Sequence, residues 1–318
     1  QELYVTNDLV LTQNGILQLG GEAFGWNAGY FWYATGMPTL AIGGDLIVET
    51  NSYLNVYCAE SNGVAPYGAA LNVGGSITVR SNGHIYCWSH YTNGGSALFT
   101  VGEDVTVESD SAINAEYRGY ASYKMLDNSG LRGYGPGGGL ARSGSAPWNA
   151  GGASHGGMAA WNSLPEYGSS NAPIMAGSGG GGDPATGGGR GGGVVRIIAG
   201  NRVWVDGTIS ANGYGWASGQ SRAGGSGGSI YIVCHTFAGT GSLNAAGGNG
   251  AGDANYRGYG GAGGRIAVWR IKDLTAGQVD TDVSGGAYNL PGITNPYAQN
   301  GTVVWIDLPH RGTLIIVR

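Results

Sequence analysis

The chain has 318 residues, with 66 glycines, 10 prolines and a formal net charge of −5. It has no Gly-X-Y repeat, which excludes collagen, and its 42% of hydrophobic residues exclude a disordered chain because they can build a packed core. A net negative charge without a basic stripe also argues against nucleic acid as a partner.

The composition is typical of an exported protein. Charged residues make up only 11% of the chain, and Gly, Ser, Asn, Thr and Tyr are abundant. No apolar run reaches the roughly 18 residues of a transmembrane helix, so no such segment is expected. The chain begins at Gln1 rather than Met, which we interpret as the mature end left by a removed signal peptide, although a chain shortened at this point would begin in the same way. We therefore expect a secreted protein, either extracellular or on a cell surface.

Residues 1–121 contain four similar units, which begin at Leu9, Leu46, Ile77 and Val105. Each unit has two short runs of alternating apolar residues, joined by Asn or Asp and a small residue. Alternation puts the apolar side chains on one face, which a single unit cannot bury, so the units are expected to stack as a solenoid of regular coils. Asn and Asp suit the corners because they tolerate left-handed backbone angles.

Residues 122–193 interrupt the repeat with a glycine-rich insertion. We expect it to form extended loops packed on one flank of the solenoid, because glycine has no Cβ atom and lets backbones approach closely. A flexible linker is the alternative interpretation. Linkers ordinarily lack aromatic residues such as Trp161 and Tyr167, which occur in this segment.

Residues 194–318 resume the repeat as glycine-rich coils, followed by C-terminal strands. Equivalent strands are predicted around Val195, Ile230 and Ile266, and helix signals are nearly missing. A β-propeller would need four strands in roughly 40–45 residues, and a sandwich would leave the repeated spacing unexplained. The predicted fold is therefore all-β, with one solenoid domain over residues 1–318.

Five glycine motifs mark the insertion and the second half of the chain. They are Gly-Gly-Ala-Ser-His-Gly-Gly at 151–157, the glycine-rich tract at 177–193, and the glycine runs at 225–230, 246–250 and 261–266. Over roughly residues 120–317 the sequence resembles secreted bacterial proteins with glycine-rich parallel β-helix domains. The resemblance implies a right-handed parallel β-helix and an exported, surface-associated protein. It implies no single activity, since the group spans adhesin-like and passenger domains, and β-helices more broadly include polysaccharide lyases and hydrolases.

The ends of a solenoid expose strand edges, which can pair with another copy unless they are capped. No amphipathic capping helix is evident at either end of the sequence. We expect Leu3, Val5, Leu314 and Ile316 to form the assembly contacts. Repeated head-to-tail contacts would give a homo-oligomer or filament, so the favoured function is that of a self-assembling extracellular structural or adhesive protein.

The alternative function is a polysaccharide lyase or glycoside hydrolase acting in a groove beside the loops. The candidate catalytic residues are His155, Tyr167, Asp183 and Arg190. His155 lies among glycines, where a base or a metal ligand would be approachable, but a structural histidine would look the same. No metal-ligand spacing is present, so no cofactor is predicted; calcium stays open because β-helix lyases hold it with clustered carboxylates.

Aromatic residues suggest a third possibility, which is the binding of a polysaccharide or a protein partner without catalysis. The motif Arg-Gly-Tyr recurs at 118–120, 132–134 and 257–259. Aromatic faces with polar edges suit sugar rings, and Arg can stack on Tyr. The alternative is that these rings cover glycine-rich backbone. The candidate binding residues are Trp26, Tyr30, Trp32, Tyr120, Tyr134, Tyr214, Trp216 and Tyr259.

Overall fold

A computed structural model describes residues 2–26, 29–61, 65, 67–122, 132–141, 148–161, 164–183, 187–219, 221–288 and 298–309; for residues 22–32 it describes the backbone only. In these ranges the protein is all-β, and no residue lies in a helix. It follows that no helix of this part of the chain could cross a membrane.

The described ranges contain short strands separated by turns and by glycine-rich segments. In chain order the strands are β1 Glu2–Val5, β2 Leu9–Leu11, β3 Ile16–Leu19, β4 Glu22–Trp26, β5 Gly29–Tyr33, β6 Thr39–Ile42, β7 Leu46–Val48, β8 Tyr53–Tyr57, β9 Ala69–Val73, β10 Ile77–Val79, β11 His84–Trp88, β12 Ala97–Val101, β13 Val105–Val107, β14 Ala112–Asn114, β15 Trp148–Ala150, β16 Val194–Ala199, β17 Arg202–Val205, β18 Thr208–Ser210, β19 Ser229–Val233, β20 Thr236–Ala238, β21 Ser242–Asn244, β22 Tyr256–Gly258, β23 Arg265–Arg270, β24 Lys272–Asp273, β25 Asp280–Asp282 and β26 Thr302–Asp307.

Most of these strands form three long sheets, in which every described neighbouring pair is parallel. Sheet A has the order β1-β6-β9-β12-β16-β19-β23-β26, sheet B the order β2-β7-β10-β13-β17-β20-β24, and sheet C the order β25-β21-β18-β14-β11-β8-β3. Each turn of the chain thus adds one strand to each sheet, which is a solenoid-like arrangement. Two small pairs, β4 with β5 and β15 with β22, lie outside the three sheets.

The pairing confirms the repeats predicted from the sequence. Leu9, Leu46, Ile77 and Val105 are aligned in sheet B, one above the next. The same column continues directly from Val105 to Val203, across the whole glycine-rich insertion. The insertion therefore leaves the solenoid between two turns and rejoins it without a change of register.

Alternate side chains of each sheet point into a common interior. One inward column crosses all eight strands of sheet A, and its end members, Leu3 and Trp305, are 40% and 37% exposed. Burial of a large apolar side chain contributes roughly 1.5–3 kcal/mol, so this column holds the turns together but leaves its two ends open. Its six central members are each at most 1% exposed: Leu40, Leu71, Phe99, Ile197, Ile232 and Val268.

The corners between sheets B and C use the residues that the sequence predicted for them. In three successive turns a pair of non-glycine residues has left-handed backbone angles, with φ between 52° and 64°. Asn is the second member of each pair, because its short polar side chain tolerates this conformation. The pairs are Gln13 with Asn14, Thr50 with Asn51, and Ser81 with Asn82.

The corners between sheets A and B carry a ladder of hydrogen bonds from one turn to the next. Asp8 Oδ1 accepts the backbone N–H of Asp45 at 2.8 Å, and Asp45 Oδ1 accepts that of Ser76 at 2.7 Å. Later in the same column, Asp104 Oδ1 accepts the N–H of Arg202 at 3.0 Å. Each carboxylate satisfies a backbone donor that the tight corner leaves without a carbonyl partner.

A second body, which we call the glycine bundle, packs on the solenoid. It is built from glycine-rich segments that leave the three sheets between turns and hydrogen-bond to one another through their backbones. The glycine bundle comprises segments 133–139, 150–156, 177–182, 187–193, 211–216, 223–228, 245–250, 259–264, 283–287 and 298–301.

Hydrogen bonds in the glycine bundle repeat every three residues. In segment 223–228 the amides at i and i+3 donate to the same neighbour, so the segment bonds to three neighbours in rotation. A β-strand bonds to two sides only, whereas a polyproline-II helix has three residues per turn and no internal hydrogen bonds. The segment therefore has the polyproline-II pattern. Ala223 and Ser226 donate to segment 177–182, Gly224 and Gly227 to segment 259–264, and Gly225 and Gly228 to segment 211–216.

Glycine is required in this packing because the backbones touch. A Cβ at Gly227 would overlap the carbonyl oxygen of Ala245, and one at Gly224 would overlap that of Gly248. Neither contact can be relieved by rotating a side chain, since both partners are backbone atoms. The high glycine content of the sequence is thus explained by close approach between segments.

Adding a single methyl group inside the glycine bundle should destabilise the fold. Gly227→Ala is expected to lower the free energy of unfolding by about 3 kcal/mol or more, because backbone must shift to admit the Cβ. Gly36→Ala is the matched control, since a Cβ there meets nothing within 4 Å. Urea unfolding of both variants measures the difference; equal midpoints would contradict the close packing.

Candidate functional site

The structure brings together two of the four candidate catalytic residues, inside the glycine bundle. The rings of His155 and Tyr167 lie 4.6 Å apart. The Tyr167 hydroxyl donates to the carbonyl of Ala176 at 2.6 Å and lies 2.8 Å from Ser178 Oγ. Arg265 donates to the Tyr167 carbonyl at 3.0 Å, which joins the cluster to sheet A.

His155 is completely buried in this cluster. Its Nδ1 is 2.8 Å from the carbonyl oxygen of Gly227, and because a carbonyl only accepts, Nδ1 carries the proton. Nε2 is therefore the unprotonated nitrogen, and it has no hydrogen-bond partner. Burial lowers the pKa of His155 to about 4; the bond to Gly227 opposes this shift, and the charge of Arg265 adds to it. His155 is thus a neutral interior side chain that a polymeric substrate cannot reach.

Burial also keeps Tyr167 in its neutral form. Burial raises its pKa above the usual range of a tyrosine, although the bond to Ser178 and the charge of Arg265 act in the opposite direction. The hydroxyl is therefore a stable donor to the Ala176 carbonyl. Together, His155, Tyr167 and Arg265 tie segments of the glycine bundle to β23.

The other two candidate catalytic residues have different surroundings. Arg190 donates to the carbonyl of Gly119 at 3.2 Å, and its guanidinium lies 5.8 Å from the Trp88 ring. Burial, followed by the nearby charge of Arg118, lowers the pKa of Arg190 to about 10. The carbonyl of Asp183 accepts the N–H of Gly187 at 2.9 Å. These contacts give both residues a place in the packing of the glycine bundle.

The Arg-Gly-Tyr motifs have a common packing role. Tyr120 is 5% exposed and Tyr259 is 3% exposed, so neither ring is open to a ligand. Tyr134 is partly buried against Tyr120. The middle glycine of each motif lies against another backbone, and a Cβ there would overlap it: Gly119, Gly133 and Gly258.

The remaining aromatic candidates fall into two groups. Tyr214 is 37% exposed and meets Trp216 edge-on at 4.9 Å, while Arg222 lies over the Trp216 ring at 4.2 Å. Trp26, Tyr30 and Trp32 belong to the antiparallel pair β4 and β5, where Tyr30 is paired with Gly25. The side chains of Trp26, Tyr30 and Trp32 lie outside the described residues.

Sheet C carries an aromatic ladder on its outer face that the sequence analysis did not identify. Tyr53, His84 and Tyr86 stack at centroid distances of 5.7–5.8 Å, with interplanar angles of 12–20°. Arg118 covers the next position, 4.5 Å from the Tyr86 ring and 4.6 Å from that of Trp88. Ring faces in the ladder are occupied by one another, so the ladder stabilises neighbouring turns.

A second stack, also missed, lies in the glycine bundle and consists of Trp161, Tyr259 and Tyr288. Trp161 stacks on Tyr259 at 5.7 Å and 12°, and Tyr259 stacks on Tyr288 at 5.4 Å and 25°. Trp161 is 55% exposed, the other two are buried, and we call the group the Trp161 stack. No sequence spacing signals it, because its members come from three separate segments.

The expected assembly residues lie at the ends of the solenoid where they can be assigned. Leu3 and Val5 belong to β1, the edge strand of sheet A. Leu314 and Ile316 lie outside the described residues.

The described ranges contain no group of three or more His, Cys, Asp or Glu side chains that could hold a metal ion.

Comparison of the sequence with protein-family models and with curated proteins, and of the structure with solved structures, gave no match. Function therefore has to be inferred from the geometry of the chain itself.

The burial of His155 predicts a pH dependence. Its folded pKa of about 4 lies below the ordinary value of about 6.5, so between these values the unfolded state binds more protons and acid destabilises the fold. Lowering the pH from 6.5 to 4 should cost about 3 kcal/mol through this residue. His155→Asn should lose that part of the slope in urea titrations, whereas the exposed control His235→Asn should keep it. Equal slopes in all three proteins would refute the assignment.

Proposed function

We propose that the chain is an extracellular structural and adhesive protein, a right-handed parallel β-helix that associates end to end. Right-handedness is supported by the strong preference of parallel crossover connections for that hand. Secretion is supported by the low charge and by the resemblance of the glycine motifs. The observation that carries the proposal is an apolar core left open at the ends of the solenoid.

The first turn shows this opening most clearly. Leu3 is 40% exposed, although its partner in the next turn, Leu40, is completely buried. Leu19, near the end of the first turn, is buried. Four further inward residues of this turn are only partly buried, while their equivalents one turn later are buried. They are Val5, Leu9, Leu11 and Leu17. An additional turn on top of them would complete the core that every interior turn has.

The last turns offer a complementary surface. Trp305 ends the column that Leu3 begins, and it is 37% exposed. At this end Val279, Val283 and Val303 are also partly buried against the core. A second copy stacked along the axis would continue the column from Trp305 of one copy to Leu3 of the next.

The strand edges favour the same orientation. The edge strands β1 and β26 of sheet A would pair in parallel, as their neighbours do. Because the two contacting surfaces differ, the contact repeats without closing and produces a filament.

Catalysis by a lyase or hydrolase has no comparable support. His155 is inaccessible, and Tyr167 has a raised pKa and a hydroxyl committed to a carbonyl. A general base needs to reach the proton that it removes. We therefore place both residues in the packing of the glycine bundle.

End-to-end association can be tested with two substitutions on one strand. Leu3→Asp puts a charge at the open core, and it should abolish the concentration-dependent growth of linear assemblies in negative-stain micrographs. Tyr4→Asp is the matched control, because Tyr4 is 69% exposed and points outward from the same strand. The proposal fails if the unmodified protein stays dispersed at high concentration, or if Leu3→Asp assembles equally well.

A mixing experiment identifies the pair of surfaces. Trp305→Asp should also block growth, because it alters the opposite end. Mixed with Leu3→Asp, it should form only heterodimers, since each variant retains one intact end, and light scattering would report their mass. Filaments from the mixture, or no association at all, would contradict the head-to-tail contact.

A further inference from the structure

Trp161 combines two properties that are unusual for a tryptophan. Its side chain is 55% exposed, and its backbone is left-handed, with φ of 55°. Such a conformation costs a bulky residue of order 1–2 kcal/mol relative to glycine, and residues held in this way concentrate at functional sites. Packing alone gives no reason to keep a large exposed ring at this position.

The ring of Trp161 is held rigidly from one side. Tyr259 covers one face at 5.7 Å, is itself stacked on Tyr288, and is only 3% exposed. The Tyr288 hydroxyl donates to the carbonyl of Asp253 at 3.1 Å, which fixes the far end of the stack. The exposed area of Trp161 therefore lies on the face away from Tyr259, on a support that is already ordered.

A second aromatic pair lies close by. Trp148 and Tyr256 have ring centroids 4.6 Å apart, and both are only partly buried. Tyr256 precedes Tyr259 by three residues, so their Cα atoms are at most about 10 Å apart. The Trp148–Tyr256 pair and the Tyr259 ring that supports Trp161 are therefore carried by one short stretch of chain.

We propose that the Trp161 stack, with the neighbouring Trp148–Tyr256 pair, is a binding site for a neutral polysaccharide. The C–H face of a pyranose ring is apolar and packs on the open face of an indole, while its hydroxyls bond to polar groups at the edge. A preordered ring gives affinity because little conformational freedom is lost on binding.

The surrounding charges favour a neutral sugar. Asp253 and Arg257 are the charged side chains of the turn beside Tyr256, and their charges cancel. Asp253 is also engaged in closing that turn, since its Oδ1 accepts the N–H groups of Asn255 and Tyr256 at 2.8 and 2.9 Å. A site for an acidic polysaccharide would need an excess of basic groups, which this turn does not provide.

The test uses a substitution that removes the ring and relieves the backbone. Trp161→Gly suits a left-handed φ, so its melting temperature should equal or exceed that of the parent protein. Its retention on cellulose or chitin particles should fall at least tenfold. Tyr117→Gly is the matched control, because Tyr117 is also an exposed aromatic with a left-handed φ of 58°, but it meets Tyr214 edge-on. This control should bind like the parent.

The Leu3→Asp background allows binding to be measured without assembly, so the site can fail or succeed independently of the proposed function. No retention of the parent on either particle would overturn the proposal, as would equal losses in Trp161→Gly and Tyr117→Gly. Retention on polygalacturonate alone would mean an acidic ligand. Equal retention on albumin-coated beads would mean a protein-binding surface. A lower melting temperature for Trp161→Gly with unchanged retention would show that the ring has only a packing role.

Discussion

Contact between glycine backbones is the constraint on which this structure depends. In segment 223–228 each successive amide finds a different neighbouring segment, and there is no space for a Cβ at Gly224 or Gly227. Hydrogen bonds of this kind contribute about 1 kcal/mol each, so the glycine bundle gains its stability from their number rather than from apolar burial. His155, Tyr167 and Arg265 then join this hydrogen-bonded body to sheet A.

The solenoid and the glycine bundle have different roles in the proposed function. The solenoid supplies a repeating apolar interior that is open at Leu3 and Trp305, and this gives the chain a direction along which copies can stack. The glycine bundle projects from its side and presents Trp161 on a rigid support. In the proposed filament, the ends of the solenoid are consumed by assembly while the aromatic site remains on the flank of every copy.

The solenoid could be predicted from the sequence because alternation has a physical cause that leaves a pattern. Inward residues such as Leu46 and Ile77 in sheet B, and Leu54 and Ile85 in sheet C, recur at positions that the pairing confirms. Strand β9 of sheet A was missed because it begins with two alanines, which carry little apolar signal. The three-residue rotation of the glycine bundle was missed as well, since glycine has no side chain to mark a face. The Trp161 stack depends on contacts between distant segments, which no local spacing encodes.

Amide hydrogen exchange measured by NMR shows whether the glycine segments are packed through their backbones. The amides of Gly224, Gly225, Gly227 and Gly228 are all bonded to carbonyls of other segments. We expect them to exchange as slowly as the amides of Ile230 and Ile232 in the adjoining strand β19, because the glycine bundle and the sheet open together. Exchange at the rate of an unstructured glycine chain would show instead that the segment is a flexible loop without backbone packing.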